Sequence, residues 1–85
     1  MYILVGSITT AMRLKRLLER NYGIPSDVMH TPSELNHGGC SYSVRTKIPN
    51  ISSYAKIIAE EYGISIRKIY AEELVNGERV FHAIS

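Results

Sequence analysis

The sequence contains an internal repeat of one structural unit, and this repeat limits the folds that the chain can adopt. Residues 19–24 and 60–64 share the ending Tyr-Gly-Ile, so the second ending lies 40 residues after the first. With the same offset of 40 residues Tyr42 aligns with Tyr2, so the strand-like segments repeat as well as the helix ends. We therefore predict that each half of the chain forms a strand, a helix and a second strand.

The first half has clear signals for all three elements. Tyr2–Val5 is a short apolar segment that predicts a buried strand. The helix that follows should end at Gly23, because glycine accepts the left-handed conformation and Pro25 prevents continuation. Asp27–His30 follows as the second strand. The apolar face of the helix is expected to comprise Ala11, Leu14, Leu17, Leu18 and Tyr22.

The second half repeats this order. Ser41–Lys47 alternates polar and apolar residues, which predicts the third strand. Asn50 is the expected N-cap of the second helix and Gly63 its end, and Ile66–Ala71 is the fourth strand. The apolar face of this helix is expected to comprise Ile51, Tyr54, Ile57 and Ile58.

The last part of the sequence contains a hairpin signal. Asn76-Gly77 is typical of two-residue hairpin turns, so Arg79–Ile84 is expected to add a fifth strand at the sheet edge. A short helix over Glu72–Val75 is the competing interpretation. The first interpretation widens the sheet, whereas the second ends it at the fourth strand.

The predicted element order is βαββαβ, which is the order of the ferredoxin-like split-βαβ plait. We expect a single α+β domain over residues 1–85, with two helices on one face of an antiparallel sheet. On the other face, Ser41, Ser43 and Arg45 are expected to contact water.

Cys40 is the only cysteine, and it lies in the polar, glycine-rich stretch His37-Gly38-Gly39-Cys40-Ser41. A single thiol cannot form an internal disulfide, and it supplies too few ligands for an ordinary zinc site. The residue is therefore either a reactive free thiol or an incidental one. A reducing compartment suits a lone free thiol, so we expect the protein to be cytoplasmic.

The expected fold places Cys40 near the start of the first helix, because strands 1 and 3 of such a plait are adjacent and antiparallel. Unpaired N–H groups at a helix N-terminus favour a negative charge, so the pKa of the thiol should fall below the free-cysteine value of about 8.5. The hydroxyls of Ser7, Thr9 and Thr10 either add donors to this site or only cap the helix.

For each of the other residues close to the thiol in sequence, there is a functional interpretation and a second one without a specific function. His37 and His30 are candidates for a base or for stabilising a thiolate, or they are solvated histidines. Gly38 and Gly39 allow the loop to move, or allow a partner to approach closely. Arg45 is expected either to bind an anion or to be solvated.

The segment that leads towards the thiol has a local pattern of its own. Thr31-Pro32-Ser33-Glu34 fits a helix capping box with proline at the first helical position. We expect one turn of helix through Asn36, and a plain surface turn between strands 2 and 3 is the alternative.

Composition and motifs argue against several functions. A net charge of +2 gives no basic stripe for nucleic acid, and the apolar run Tyr2–Val5 is far too short for a membrane span. No acid–base pair, phosphate loop or catalytic triad can be identified, so no cofactor is expected. His30, His37 and Cys40 would supply only three ligands for a metal ion, so no metal is expected either. A carrier or binding protein is favoured over a stand-alone enzyme, because a carrier needs only an accessible nucleophile and a docking surface.

Several short segments of the first half carry a family resemblance. They are Gly6-Ser7 with Ala11, Leu17-Leu18, Gly23-Ile24, Thr31-Pro32 with Leu35, and Gly39-Cys40 with Val44-Arg45. Over most of residues 2–46 the sequence therefore resembles the selenium/sulfur carrier-like family of small domains.

The resemblance implies a small protein that carries sulfur or selenium as a persulfide or selenosulfide on Cys40, with Ser7 and Gly39 as supporting residues. It also implies a donor, such as a cysteine desulfurase, and an acceptor protein. Ser41 departs from the glycine that is expected after this cysteine.

Two other functions remain open at this point. A regulatory module that binds a small molecule or a protein is favoured by the polar sheet face and the edge strand. RNA binding is less favoured, because the aromatic residues form no recognisable RNP pattern. Alkylation of Cys40 separates the carrier from the binding module, since only the carrier must lose its activity.

Overall fold

The computed structural model describes residues 1–35, 41–47 and 51–84, without the side chains of residues 51 and 52. Cys40 and its neighbours His37, Gly38 and Gly39 lie outside these ranges, as does the predicted cap Asn50. The described elements are β1 (Tyr2–Val5), α1 (Ile8–Tyr22), β2 (Ser26–His30), β3 (Tyr42–Thr46), α2 (Ile51–Tyr62), β4 (Ile66–Val75) and β5 (Glu78–Ala83).

The five strands form one antiparallel sheet in the order β2-β3-β1-β4-β5. β1 therefore lies at the centre, between β3 and β4. Val5 lies opposite Tyr42, so the end of β1 and the start of β3 meet at the same end of the sheet. The predicted α+β class, with two helices and an antiparallel sheet, is confirmed, and so is the pairing of the first and third strands.

One face of the sheet and both helices form the main hydrophobic core. From α1, Ala11, Leu14 and Leu18 are fully buried, as the periodicity predicted, whereas Tyr22 is partly exposed. From the sheet, alternate residues of β1 point into the same core. Its buried residues are Ile3, Val5, Ala11, Leu14, Leu18, Ile24, Val44, Ala55, Ile58, Ile64 and Ile69.

The predicted apolar face of α2 is only partly correct. Ala55 and Ile58 are fully buried, but Ile57 and Tyr54 are exposed. The Tyr54 ring lies against Tyr22 of α1, with the ring centroids 4.8 Å apart, so the two tyrosines cover the junction between the helices instead of entering the core.

Both helices end at glycines, as predicted. Gly23 and Gly63 have φ angles of +63° and +65°, in the left-handed region that glycine adopts without a steric penalty. The Gly23 N–H donates to the Glu19 carbonyl, and the Ile24 N–H donates to the Leu18 carbonyl, each over 3.1 Å. These bonds satisfy carbonyls that the end of α1 would otherwise leave unpaired.

The second face of the sheet is mostly covered, so the prediction that it contacts water holds for Ser41, which is exposed, and is wrong for the face as a whole. Tyr2, Leu4 and Leu35 are buried there, and Met29, Tyr70 and Phe81 pack against them. Ser43, which was expected to contact water, is 0% exposed, whereas Arg45 is half-buried. The face is covered because Leu35 packs onto it and because Tyr70 and Phe81, from the β4–β5 hairpin, direct their side chains to the same cluster.

The hairpin interpretation of the last residues is confirmed, and a helix over Glu72–Val75 is wrong. Asn76 and Gly77 both have positive φ, as a tight hairpin turn requires, and Val75 lies opposite Glu78. This register carries Glu72–Val75 into the sheet, so β4 is four residues longer than the predicted Ile66–Ala71.

We expect Leu14→Ala to lower the free energy of unfolding by about 2–5 kcal/mol, because it leaves a cavity in the main core. Met12 lies in the same helix but is exposed, so Met12→Ala is the matched control and should stay within about 0.5 kcal/mol of wild type. Urea denaturation of both variants measures the difference. Equal losses would contradict the assignment of the buried helix face.

Candidate functional site

The candidate site lies where β1 ends and β3 begins. Because Val5 pairs with Tyr42, Gly6-Ser7 leaves β1 at the same end of the sheet at which Ser41 enters β3. Cys40 directly precedes Ser41 in the sequence. The predicted approach of the first helix towards the start of the third strand is thus confirmed up to Ser41, while Cys40 itself lies outside the described residues.

Ser7 is the N-cap of α1, which is one of its two predicted uses. Its extended backbone precedes the helix, and its Oγ accepts a hydrogen bond from the Thr10 N–H over 3.2 Å. The Ser7 and Thr10 hydroxyls also share a hydrogen bond of 2.9 Å, whereas Thr9 is exposed. The hydroxyls of Ser7 and Thr10 are therefore engaged with each other and with the helix start.

The start of α1 keeps the partial positive charge of a helix N-terminus. The first turn contains no acidic residue, so no carboxylate of that turn neutralises the unpaired N–H groups. α1 has 15 residues, which is long enough for its peptide dipoles to add along the axis. This end of the helix therefore favours an anionic group placed near it.

The chain on either side of Cys40 is held together at its base by two hydrogen bonds. The Thr31 N–H donates to the Ser41 carbonyl over 2.9 Å. The Thr31 and Ser43 hydroxyls share a buried hydrogen bond of 2.7 Å. The chain thus has fixed positions at Thr31, where it leaves β2, and at Ser41, where it enters β3.

The predicted capping box in Thr31–Glu34 is wrong for the described residues. Thr31 uses its hydroxyl to bind Ser43, so it does not cap a helix. The Leu35 N–H donates to the Pro32 carbonyl over 2.9 Å, which closes a single turn instead of starting a helix. The remaining part of this prediction, Asn36, lies outside the described residues.

This turn is anchored on the second sheet face by residues that are distant in sequence. Leu35 is buried among Tyr2, Leu4 and Phe81. Arg79 of β5 reaches Glu34 over 3.5 Å and Glu72 over 3.5 Å, but these groups are exposed enough for water to screen the ion pairs. The apolar contact of Leu35 is therefore the stronger anchor, and no local pattern in the sequence indicated it.

Tyr2 connects this anchor to the hairpin. Its hydroxyl donates to Glu72 over 2.8 Å, and its ring meets Phe81 edge to face with the centroids 5.6 Å apart. Burial, together with the hydrogen bond to Glu72 and the charge of that carboxylate, raises the pKa of the Tyr2 phenol above its ordinary value. Tyr2 therefore stays protonated and keeps donating at neutral pH.

The other predicted site residues lie in different places. His30 is exposed, and its ring lies 4.9 Å from that of Tyr42, the residue that follows Ser41. Arg45 pairs with Tyr2 at the other end of β1, so the structure does not bring it to Ser7. Among residues 1–35, 41–47 and 51–84 there is no cluster of three side chains suited to a metal ion.

Arg45 instead lines an open cavity of about 370 Å³. The cavity contains further charges of both signs, and Lys15 and Glu19 already form an ion pair of 2.8 Å there. Its charged residues are Lys15, Glu19, Asp27, Arg45 and Lys47. An interaction of Arg45 with an anion would therefore occur at the other end of β1 from Ser7.

A comparison with family models identifies the chain. Residues 1–71 match the family described as "Putative Se/S carrier protein-like", and the protein belongs to this family. The matched residues include the whole candidate site and Cys40, and they end within β4. Neither a curated protein nor a solved structure matches the chain.

In the described part of the chain, neither helix is long and apolar enough to cross a membrane.

We expect the Thr31–Ser43 hydrogen bond to contribute to stability as a coupled pair. Thr31→Val or Ser43→Ala should each cost about 1–3 kcal/mol, because each leaves one buried hydroxyl without a partner. The double variant should cost less than the sum of the two, since neither hydroxyl is then left unpaired.

Urea unfolding of the four proteins in this double-mutant cycle measures the coupling. Ser33→Ala is a suitable control, because it removes an exposed hydrogen bond to Glu34 in the same segment and should change stability little. Additive losses for Thr31→Val and Ser43→Ala would show that the two hydroxyls do not interact in solution.

Proposed function

We propose that the protein carries sulfur or selenium as a persulfide or selenosulfide on Cys40. The observation that carries the proposal is its membership of the Se/S carrier-like family, through a match that includes its only cysteine. The chain has no second cysteine that could take this role or close a disulfide.

The geometry around Ser41 supports a reactive thiolate at the preceding residue. The start of α1, with no carboxylate in its first turn, emerges beside the start of β3. A positive helix end favours the thiolate over the thiol, which lowers the pKa of a cysteine placed near it. The hydrogen bonds of Thr31 to Ser41 and Ser43 hold the return of the chain into β3 in place.

The proposed transfer requires no cofactor and no net oxidation. The Cys40 thiolate attacks the terminal sulfur of a donor persulfide, the donor S–S bond breaks, and the donor leaves as a thiolate. Cys40 then holds the persulfide with its proton. An acceptor thiolate attacks the terminal sulfur in turn, and Cys40 leaves as the thiolate that began the cycle. Selenium follows the same route from a donor that holds it as a selenosulfide.

The donor would be a cysteine desulfurase or another protein that forms a persulfide, and the acceptor a protein or a small thiol. Gly38 and Gly39 would permit the close backbone approach that such partners need. We propose a cytoplasmic location, because a reducing compartment keeps the thiol free between cycles. The mechanism makes the protein a carrier that works with enzymes and not an enzyme by itself.

The fold is also consistent with a ferredoxin-like plait in a single domain over residues 1–85. Within the sheet, β4-β1-β3-β2 are neighbours in that order, both helices contribute to one core, and β5 extends the edge at β4. The alternative function, a regulatory binding module, loses one of its two supports because the face that contains Ser43 is buried.

The carrier function predicts that Cys40 gains one sulfur atom. After incubation with a cysteine desulfurase and cysteine, intact mass spectrometry should show this gain on wild type, and a reductant should reverse it. Cys40→Ser should show none. The matched control is Cys40→Ser/Ser41→Cys, which moves the thiol by one residue and should load at least several-fold more slowly.

Two outcomes would contradict the carrier function. Failure of wild type to form an adduct with any competent donor would favour the binding module. Equal loading of the displaced thiol would show that the donor modifies any exposed cysteine, so that position 40 has no special role.

We also expect Cys40 to be alkylated faster at neutral pH than an ordinary thiol. The midpoint of its rate against pH should lie below about 8.5, because the start of α1 stabilises the thiolate. The best reference is the same cysteine in the urea-unfolded protein, which has the same neighbours but no helix. A midpoint equal to or above that of the unfolded chain would show that the fold does not activate the thiol.

A further inference from the structure

The outer edge of β5 has backbone groups that no described strand binds. The Ile84 N–H donates to the Ile69 carbonyl over 2.8 Å, and the register is continuous from Tyr70–Ala83 to Val75–Glu78. In an antiparallel pair, alternate residues direct both backbone groups to the partner strand. The even-numbered residues of β5 therefore direct their backbone N–H and C=O groups to β4. Those of Arg79, Phe81 and Ala83 point outwards.

We propose that this edge binds the same edge of a second copy of the chain, with the antiparallel pairing centred on Val80. The two sheets would then continue as one, and the interface would be isologous, as in most symmetric dimers. The proposal concerns β5, which lies beyond the family match of residues 1–71, and it does not depend on the carrier function.

The direction of the free backbone groups limits the register of such a pair. Outward-facing residues must lie opposite outward-facing residues, so the symmetry axis passes through a residue and not between two. Axes through Val80 or Phe81 pair five residues of β5 with the other copy, whereas axes through Arg79 or His82 pair only three. An axis through Arg79 would place two guanidinium groups directly opposite each other, and like charges at this position destabilise a strand pair. An axis through Phe81 would place Arg79 opposite Ala83, whose methyl group offers the guanidinium no specific contact.

An axis through Val80 makes every side-chain pair complementary. Glu78 lies opposite His82 of the other copy, and this carboxylate–imidazole pair occurs twice by symmetry. On the other face Arg79 lies opposite Phe81, an arrangement that favours a cation–π contact. Val80 meets its own copy at the axis. Charged residues usually keep a sheet edge from pairing, but in this register no two like charges face each other.

Two of these side chains already make contacts of the same chemical kind within their own hairpin. The Arg79 guanidinium lies 5.7 Å from the centre of its own Phe81 ring, and His82 Nε2 lies 2.9 Å from Glu73. β4 and β5 pair without a bulge, and β5 contains no proline that would block its edge. The other sheet edge, β2, lacks this self-complementarity, because an axis through Val28 would place Asp27 opposite Met29.

A disulfide trap tests both the dimer and its register. In a Cys40→Ser background, Val80→Cys places two thiols at the axis, at a position without hydrogen bonds where the Cα atoms are about 4.5 Å apart. This separation lies within the range that a disulfide spans. Leu74→Cys in the same background is the control, because Leu74 is 71% exposed on the same hairpin but lies away from the axis.

Under mild oxidation, Val80→Cys should form a covalent dimer at least ten-fold faster than Leu74→Cys. Similar rates for the two variants would overturn the proposed register, since random collisions would then account for the cross-link. Far-ultraviolet circular dichroism spectra of both variants should match that of Cys40→Ser, which checks that they keep the fold.

The chain without an engineered cysteine provides a second test. Sedimentation equilibrium of Cys40→Ser should show a concentration-dependent dimer, because a single pair of edge strands forms a small interface. Arg79→Ala should still dimerise, although more weakly, while Arg79→Pro should not, because proline also removes the outward N–H. A monomer at all concentrations would overturn the proposal and leave the edge open to an extended peptide of another protein.

Discussion

The structure depends on the burial of β1 on both of its faces. All four of its residues are almost inaccessible to water, which is possible because β3 and β4 flank the strand and satisfy its backbone. Ile3 and Val5 join the core beneath the helices, whereas Tyr2 and Leu4 join the core on the second face. A small domain buries a modest share of its surface, so one strand that serves two cores is an efficient use of few residues.

The same strand pairing organises the candidate site. Because β1 runs antiparallel to β3, α1 starts where the chain returns from the segment that contains Cys40. Thr31 binds both Ser41 and Ser43, and Leu35 is buried on the second face. The positive end of α1 and the hydrogen bonds of Thr31 therefore lie on the two sides of the point at which the chain enters β3, and a positive helix end favours an anionic group placed near it.

The β4–β5 hairpin has two physical consequences. Phe81 and Glu72 cover Tyr2 on the second face, and this contact links residues inside the family match with a strand outside it. The hairpin also moves the free edge of the sheet from β4 to β5. The β4–β5 hairpin therefore both stabilises the core on the second face and forms the free edge of the sheet.

The sequence by itself determined the elements whose signals are local. The repeat, the glycines that end the helices, the Ser7 cap and the Asn76-Gly77 turn each depend on residues a few positions apart, so periodicity and turn chemistry predicted them. The lone cysteine and its family resemblance likewise indicated the site. Only the tertiary structure decided that Ser43 is buried, that Thr31 binds it, and that α2 turns Ile57 outwards. Those outcomes depend on contacts such as that of Tyr2 with Phe81, which are 79 residues apart. Alternation within one strand cannot show which of its faces a distant segment will cover.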